Sequence, residues 1–222
     1  MDVDSLRNHG VPEFFIKYLK DSSISTLNPA QIKAIGKGIL DGKSMLACTP
    51  TGSGKTAIAT MAIAKCLSGE TGSKAVYLVP LKALANEKFK DFKKAFHGFK
   101  VTLSTGDMDS GSDWLGEYDI IVLTVEKMDS LLRHHCPWLK DVRILVSDEV
   151  HLLNDTSRGP TLEILLTMLR ERSKELQIIA LSATIGNADE LAEWLNAELV
   201  VDDWRPVKLY QGTYLDGEIV FK

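Results

Sequence analysis

The sequence has few cysteines and no long apolar run, and both absences exclude classes of protein. Its three cysteines are Cys48, Cys66 and Cys136, an odd number without any C-x-x-C spacing. A disulfide framework needs paired cysteines and a zinc site needs closely spaced ones, so a reduced setting is expected. No apolar stretch approaches the about 20 residues of a membrane span. The acidic opening residues 1–4 lack the apolar core of a signal peptide. We therefore expect a cytoplasmic protein without a membrane segment.

A strong excess of either charge is also missing. The 26 lysines and arginines stand against 30 acidic residues, which gives a formal net charge of −4. A generally basic surface is thereby excluded, and a nucleic acid could bind only at a local patch. The 45% apolar and 25% charged residues are typical of a globular domain with a sizeable core. The sequence has no internal repeat, and 222 residues favour one domain over two.

Short apolar runs recur between segments of helical character, and they indicate an α/β fold. The runs are 45–48, 76–79, 120–123, 144–146 and 178–181, with a weaker sixth at 101–103. Continuous rather than alternating apolarity is typical of strands covered on both faces. It predicts a mostly parallel sheet flanked by helices on both faces. Residues up to about Gly42 are expected to be helical. Residues 203–222 are expected to form a linker, either loosely ordered or folded back as a hairpin.

A glycine-containing loop between the first apolar run and an alanine-rich helical segment indicates a phosphate-binding site. Its residues are Thr49, Pro50, Thr51, Gly52, Ser53, Gly54, Lys55 and Thr56. Glycines let successive N–H groups turn toward a phosphate, and the following helix start adds partial positive charge. Lys55 can reach the outer phosphates of a nucleoside triphosphate, and the Thr56 hydroxyl can bind magnesium. Thr49 departs from the general pattern, which has glycine there. A loop that merely caps the helix is the alternative.

Two adjacent acids follow another apolar run and predict the catalytic half of the same site. Asp148 and Glu149 come directly after residues 142–147. The carboxyl ends of parallel strands share one sheet edge, where open α/β folds bind ligands. Asp148 is expected to hold the magnesium ion opposite Thr56, and Glu149 to orient the water that attacks the γ-phosphate. A solvated strand end is the alternative for such a pair, and the phosphate loop upstream argues against it.

Taken together, these motifs resemble those of superfamily 2 helicases. The box Asp-Glu-Val-His at 148–151 matches, as does Ser182-Ala183-Thr184 after a strand. This superfamily often lacks the first glycine of the phosphate loop, which accommodates Thr49. The resemblance implies a RecA-like P-loop NTPase domain that binds ATP and Mg²⁺, with Gln31 contacting the adenine. It also implies that His151, Ser182 and Thr184 couple the nucleotide state to domain closure.

The resemblance extends to segments that contact nucleic acid. Segments similar to motifs Ia, Ib and Ic supply Pro80, Lys82, Thr105, Gly106, Asp107, Thr124 and Lys127. All of these except Asp107 are expected to contact the backbone of a single strand, which suits sequence-independent tracking. Most of the six lysines between residues 82 and 100 are interpreted as the solvated face of an amphipathic helix. Of the six, only Lys82 belongs to a motif at a strand end.

Longer signatures narrow the group. Residues 158–163, together with 185–187 and 193–195, resemble the Ski-type branch, and 203–207 is most similar to the archaeal Hjm DNA helicases, relatives of helicase Q. The resemblance therefore favours DNA over RNA and implies 3′ to 5′ unwinding. An ATP-dependent RNA helicase of the same branch is the alternative.

The resemblance also implies a second RecA-like domain. The motif Gln…Gly-Arg-x-Gly-Arg, which carries the arginine fingers, does not follow Thr184. Residues 1–202 are expected to be the ATP-binding domain with an N-terminal helical segment, and 203–222 a linker toward the second domain. Such a half-motor is expected to be a monomer that binds ATP and scarcely hydrolyses it. A different P-loop enzyme, such as a kinase, and an idle binding module remain as alternatives. A kinase would need an acceptor pocket and a lid, and intact Lys55 and Asp148 argue against an idle module.

Overall fold

The computed structural model describes residues 1–69, 71–106, 112–173, 175–210, 212–215 and 217–221. Its α-helices are α1 (Glu13–Asp21), α2 (Pro29–Gly36), α3 (Lys55–Gly69), α4 (Lys82–Ala95), α5 (Val125–Arg133), α6 (Gly159–Arg172) and α7 (Ala188–Leu195). Its strands are β1 (Met45–Cys48), β2 (Lys74–Val79), β3 (Val101–Ser104), β4 (Ile120–Thr124), β5 (Val142–Ser147), β6 (Gln177–Ser182), β7 (Glu198–Val201), β8 (Gly212–Leu215) and β9 (Glu218–Phe221). Short 3-10 helices span Val3–His9, Ile39–Asp41, Asp113–Glu117, Pro137–Asp141 and Val150–Asn154.

A seven-stranded sheet organises the described residues. Its strands run in the order β3-β4-β2-β5-β6-β1-β7, and each neighbouring pair is parallel. Successive side chains of a strand point to opposite faces. Met45 and Tyr77 therefore pack with helices α1 to α4, while Leu46 and Leu78 pack with α5 to α7. Both faces are covered, which explains the continuous apolarity of the strands. The predicted fold class is confirmed.

The predicted apolar runs correspond to β1 through β6, most of which extend one or two residues beyond the run. The sequence patterns do not predict β7, which pairs with β1 at one edge of the sheet. Of its four residues, Val200 is buried and Val201 is exposed. Its hydrophobic pattern is weak because an edge strand is covered less completely than a central one. The helical character expected up to Gly42 is confirmed by α1, α2 and the 3-10 helices beside them.

Beyond β7 the chain leaves the sheet. Strands β8 and β9 form an antiparallel hairpin, with Gly212 opposite Phe221, and their side chains are exposed. The hairpin form of the expected tail is therefore observed. At the start of this tail, Asp202 forms a 2.7 Å ion pair with Lys33, and its N–H donates to the carbonyl of Cys48 at 3.4 Å. A domain boundary at residue 202 stays a prediction. Within the described ranges, no helix is long and apolar enough to cross a bilayer.

The parallel arrangement brings the carboxyl ends of the strands to one edge of the sheet. In register, Cys48 lies opposite Ser182 and Ser147 opposite Ala180, so β5, β6 and β1 end side by side. The segments that follow these strands are 49–56, 148–151 and 182–184. Strands β3, β4 and β2 form the other half, and the segments that follow them are 105–106, 124–127 and 80–82. The topology thus places the two predicted groups of site residues on adjoining halves of one edge.

Candidate nucleotide site and nucleic-acid edge

The phosphate loop joins β1 to α3 and contains two glycines in left-handed conformation. Gly52 and Gly54 both have φ of 80°, which side chains with a Cβ rarely adopt. A Cβ at Gly54 would also lie 2.8 Å from Nε2 of Gln31. Thr49, which replaces the expected glycine, has its hydroxyl 2.6 Å from that of Ser53. This contact spans the base of the loop, so Thr49 supports the loop from within rather than obstructing it.

The loop wraps around the ammonium group of Lys55. This side chain is 9% exposed, and its Nζ donates to the carbonyls of Thr49 at 2.7 Å and Pro50 at 3.3 Å. Burial lowers the pKa of Lys55, and the charges of Glu149 and Asp148 oppose that shift. The lysine is thus held by neutral carbonyls with two carboxylates near by. A cation held this way at a helix N-terminus suits a polyphosphate. The lysine would then give up contacts with carbonyl dipoles and gain contacts with fully charged phosphate oxygens.

Gln31 lies against the loop because α2 begins with a capping box. The Asn28 side chain accepts from the Gln31 N–H at 3.0 Å, and the Gln31 side chain accepts from the Asn28 N–H at 3.0 Å. The remaining amide groups reach the loop: Asn28 Nδ2 donates to the Ser53 carbonyl at 2.7 Å, and Gln31 Nε2 to that of Gly54 at 3.4 Å. Gln31 therefore positions the phosphate loop. Its contact with adenine stays a prediction.

The acidic residues follow β5 in a strained turn. Glu149 has φ of 54°, a left-handed conformation uncommon for residues other than glycine. The Asp148 carboxylate accepts from the phenol of Tyr77 at 2.8 Å and from the Glu149 N–H at 3.0 Å. His151 Nδ1 lies 3.3 Å from Glu149 Oε2 but is not aligned for a hydrogen bond. Asp148, with two hydrogen bonds, is the more firmly held of the two carboxylates.

Three buried polar atoms at this edge lack a well-aligned hydrogen bond among the described residues. They are the hydroxyl of Ser147, the hydroxyl of Ser182, which lies beside the Cys48 thiol, and the Nδ1 of His151, which lies beside the Glu149 carboxylate. A buried unsatisfied polar group costs about 1–3 kcal/mol, so such groups are rare in folded proteins. They lie at or just beyond the ends of β5 and β6. Thr184, two residues further on, is exposed. The unsatisfied groups fit a site that takes up a polar ligand.

The hard oxygen ligands expected for magnesium are present as well. The Thr56 hydroxyl and the Asp148 carboxylate are of the type that Mg²⁺ prefers. No group of three or more His, Cys, Asp or Glu side chains that could hold a metal occurs within the described residues. The ion would therefore depend on these two residues together with waters and phosphate oxygens, which is the usual arrangement for magnesium at a nucleotide.

The other half of the edge carries the residues predicted to contact a strand. Lys82 begins α4 and is exposed, as is Gly106, whereas Thr105 is partly buried and Pro80 is buried. Asp107 lies outside the described residues. The exposed members lie after β2 and β3, and in the sheet β4 lies between those two strands. A backbone path across this half of the edge would therefore pass Lys82 and the N–H groups of Thr105 and Gly106.

Thr124 and Lys127 are less accessible than the sequence suggests. Their exposed fractions are 3% and 5%. Thr124 is the N-cap of α5, and its hydroxyl accepts from the Lys127 N–H at 3.4 Å. Burial raises the pKa of Cys136, and the charge of Lys127 is among the causes that lower it, so the ammonium lies near that thiol. Any contact with a strand here would involve the N-terminus of α5 rather than the lysine side chain.

Lys88 is a residue that the motif comparison misses. Its Nζ donates to the hydroxyl of Thr56 at 3.0 Å, and the side chain is partly buried. The predicted solvated face covers most lysines of this segment, and Lys88 is an exception to it. A signal was present, because Lys88 follows Ala85 by three residues and precedes Phe92 by four, and both are buried. This spacing places Lys88 on the inward stripe of the helix.

Comparison with known proteins identifies the family. The family model described as "DEAD/DEAH box helicase" matches residues 28–191, which include both halves of the nucleotide site. This chain belongs to the DEAD/DEAH box helicase family. The recognition of a superfamily 2 helicase from its motifs is thereby confirmed, as is the RecA-like P-loop NTPase fold.

Several archaeal helicases are close in sequence. The chain is 52% identical over 223 residues to the ATP-dependent DNA helicase Hel308 of Pyrococcus horikoshii, covering 100% of this chain and 30% of that protein. For Hel308 of Thermococcus kodakarensis the identity is 49% over 223 residues, with 100% and 19% covered. For Hel308 of Methanocaldococcus jannaschii it is 51% over 213 residues, with 93% and 18% covered. The chain thus spans less than a third of the length of these relatives.

Solved structures show the same fold. The helicase MrfA, of the DUF1998 type, superposes with a TM-score of 0.73 in its DNA-bound crystal structure, at 24% identity over 87% of this chain and 30% of that chain. Its structure with DNA and AMPPNP gives a TM-score of 0.74 at 23% identity, over 87% of this chain and 29% of that chain. At this level of identity, the likeness concerns the fold alone.

Proposed function

We propose that this chain is the ATP-binding first motor domain of an ATP-dependent DNA helicase. The observation that carries the proposal is the convergence of Lys55, Thr56, Asp148 and Glu149 at one sheet edge, where both carboxylates act on the charge of Lys55. The names of the Hel308 relatives support ATP as the nucleotide and DNA as the nucleic acid. The comparisons do not support the kinase alternative, because the matching family model describes helicases.

Within this proposal each site residue has a separate role. Lys55 and the N–H groups of residues 51–56 bind the phosphates, and Gln31 contacts the adenine. Thr56 and Asp148 would hold magnesium, which when bound neutralises charge on the phosphates. Glu149 accepts a hydrogen bond from the attacking water and orients it toward the γ-phosphate. The remaining loop residues shape the phosphate site, with Thr49 and Ser53 tied by their hydroxyls.

The DNA strand would lie along the half of the edge formed by β3, β4 and β2. Lys82 supplies a phosphate contact through its exposed ammonium, and Thr105 and Gly106 supply hydroxyl and N–H groups. Pro80 is buried and shapes the turn into α4. Thr124 contributes by capping α5, whose N-terminal N–H groups favour a phosphate. Contacts of this kind address the backbone and carry no base information.

The complete motor requires a second RecA-like domain of the same protein, which supplies the arginine fingers. We place His151, Ser182 and Thr184 at the coupling surface between the domains, because they follow the strands that end at the nucleotide. Residues 1–202 form the ATP-binding domain and 203–222 lead toward its partner. In our proposal the protein is a cytoplasmic monomer that unwinds DNA in the 3′ to 5′ direction.

The test is ATP hydrolysis by a longer protein that includes the second domain, measured without polynucleotide, with single-stranded DNA and with single-stranded RNA. Stimulation by DNA well above that by RNA is the expected result. Stimulation by RNA alone would favour an RNA helicase of the same branch. Hydrolysis indifferent to both, with phosphoryl transfer to a small acceptor, would favour a kinase. Failure to bind ATP at all would leave a binding module.

A further inference from the structure

Lys88 brings a positive charge to the Thr56 hydroxyl from a different helix. Its Nζ donates to Thr56 Oγ1 at 3.0 Å. Along α4, the neighbouring Lys90 is exposed, whereas Lys88 is partly buried on the stripe that contains Ala85 and Phe92. A lysine on an inward stripe gives up conformational freedom and part of its hydration, so its position calls for a partner. Thr56 is that partner.

Packing holds Lys88 in place relative to the acidic residues. Phe92, one turn along α4, packs edge-on against the ring of Tyr77 with 4.9 Å between ring centroids. The phenol of Tyr77 donates to Asp148 at 2.8 Å, and Thr56 is a further hydrogen-bonding neighbour of that phenol. The side chains of Lys88, Thr56, Tyr77 and Asp148 therefore form one connected group. The helix that carries the lysine is docked onto the same tyrosine that orients the carboxylate.

The charges of this group have a consequence for magnesium. Lys55 and Lys88 carry two formal positive charges, and Asp148 and Glu149 two negative ones. Arg205 adds a further positive charge that acts on Lys55, so the protein's own cations already balance the two acids. The proposed function assigns the Thr56 oxygen to magnesium at about 2.0–2.1 Å. An ammonium 3.0 Å from the same oxygen would then lie no more than about 5 Å from the metal, where like charges repel strongly in a partly buried site. The two cations compete for one position.

We propose that the Lys88 ammonium competes with magnesium at Thr56 and stabilises nucleotide bound without metal. This inference rests on the proposed function. It predicts that the site keeps a counter-cation for the triphosphate when magnesium is scarce. With magnesium bound at Thr56, the Lys88 ammonium would no longer donate to that hydroxyl. The lysine therefore makes nucleotide affinity less dependent on magnesium than it would be otherwise.

The test measures ATP affinity of this chain by calorimetry, once in EDTA and once in excess magnesium, for the parent, Lys88→Met, Lys88→Arg and Lys90→Met. In Lys88→Met, affinity in EDTA should fall about tenfold, the cost of a lost charge-assisted contact. Affinity in magnesium should change less than twofold, so the enhancement by magnesium rises. Lys88→Arg should behave like the parent because it keeps the charge. Lys90→Met, which removes an exposed lysine of the same helix, controls for overall charge.

An unchanged enhancement by magnesium in Lys88→Met would overturn the inference, whether or not the unfolding temperature shifts. If neither affinity falls, Lys88 is a purely structural lysine. If both affinities fall equally, Lys88 makes a phosphate contact that is independent of the metal. Lys55→Ala separates this failure from that of the proposed function. If Lys55→Ala abolishes ATP binding while the Lys88→Met ratio stays unchanged, only the inference about Lys88 fails. If ATP binding does not depend on Lys55, the nucleotide site itself fails.

Discussion

The phenol of Tyr77 donates a 2.8 Å hydrogen bond to the carboxylate of Asp148 across the paired strands β2 and β5. Burial, and then the charge of Asp148, raises the pKa of Tyr77 well above its usual range, so the phenol remains a donor at neutral pH. The other Asp148 oxygen accepts from the Glu149 N–H at 3.0 Å. Both oxygens are thereby oriented before any ligand binds. A metal ligand held this way binds its ion in a defined position.

Replacing Tyr77 with phenylalanine should show what this orientation contributes. The Tyr77→Phe side chain keeps the ring packing and loses the donor to Asp148. The free energy of unfolding should fall by about 1.5–3 kcal/mol, the range for a hydrogen bond to a charged group. The magnesium concentration for half-maximal ATP binding should rise several-fold, because the carboxylate is free to rotate. Tyr18→Phe, on α1, is the control. An unchanged magnesium requirement would show that Asp148 needs no orientation from Tyr77.

Lys55→Ala tests the phosphate contact directly. A charge-assisted hydrogen bond contributes about 1.5–3 kcal/mol, so ATP affinity should fall tenfold or more while the fold is retained. Lys65→Ala is a matched control, since Lys65 lies on the same helix and is ion-paired with Asp41 at 3.9 Å. Calorimetry gives the affinities and circular dichroism the folded state. A well-folded Lys55→Ala protein with parental ATP affinity contradicts the phosphate-loop assignment.

Glu149→Gln and Asp148→Asn should separate water activation from metal binding. In a protein with both motor domains, Glu149→Gln should bind ATP and magnesium normally and lose turnover, since an amide accepts a proton poorly. Asp148→Asn should also weaken the magnesium dependence of ATP binding.

The present chain alone should hydrolyse ATP scarcely at all. The proposed arginine fingers belong to the second domain, and an arginine finger is worth about 10³–10⁵ in rate. Parental turnover by Glu149→Gln, or rapid DNA-stimulated turnover by this chain alone, would refute these roles.

Lys82 and Lys127 should differ in their effect on DNA binding, because Lys82 is exposed whereas Lys127 is buried, with only 5% of its surface accessible. On single strands, log K falls with log salt by about 0.7 per neutralised phosphate, so a slope of about −1 to −2 is expected for this small footprint. Lys82→Ala should flatten the slope by about 0.7, for all base sequences alike. Lys127→Met should leave it unchanged. An equal flattening in both variants would mean that the strand path reaches Lys127.

Gly159→Ala should disturb the segment that follows the acidic residues. A Cβ at Gly159 would overlap the carbonyl of Leu153, in the 3-10 helix Val150–Asn154 directly after Glu149. Forced displacement in a packed region costs about 1–3 kcal/mol, and the denaturant midpoint should fall accordingly. A Cβ at Gly186 would meet no atom within 4 Å, so Gly186→Ala is the control and should be nearly neutral. Equal stability of the two variants would show that the helix start can shift away.

Much of the fold could be predicted because the strands are covered on both faces. Such strands need apolar side chains at successive positions. These runs can be recognised in the sequences of β1, β2 and β6 without knowing which strands lie beside them. The edge strand β7 does not need a continuous apolar run, so the sequence does not predict it.

The phosphate loop and the acidic pair could be recognised in the sequence for another reason. Their chemistry restricts residue type at fixed spacing, as Gly54, Lys55 and Thr56 illustrate.

The sequence by itself determined the α/β class and the family, and it supplied the candidate residues of the nucleotide site, which remain a prediction. Only the tertiary structure decided which side chains contact one another across elements. Tyr77 reads as one more buried strand residue, and Lys88 as one more lysine of an amphipathic helix. Their contacts with Asp148 and Thr56 depend on the pairing of β2 with β5 and on the docking of α4 over Tyr77. Local patterns encode which face of an element is buried. They do not encode which element lies beside it, because that choice depends on interactions between residues far apart in the chain.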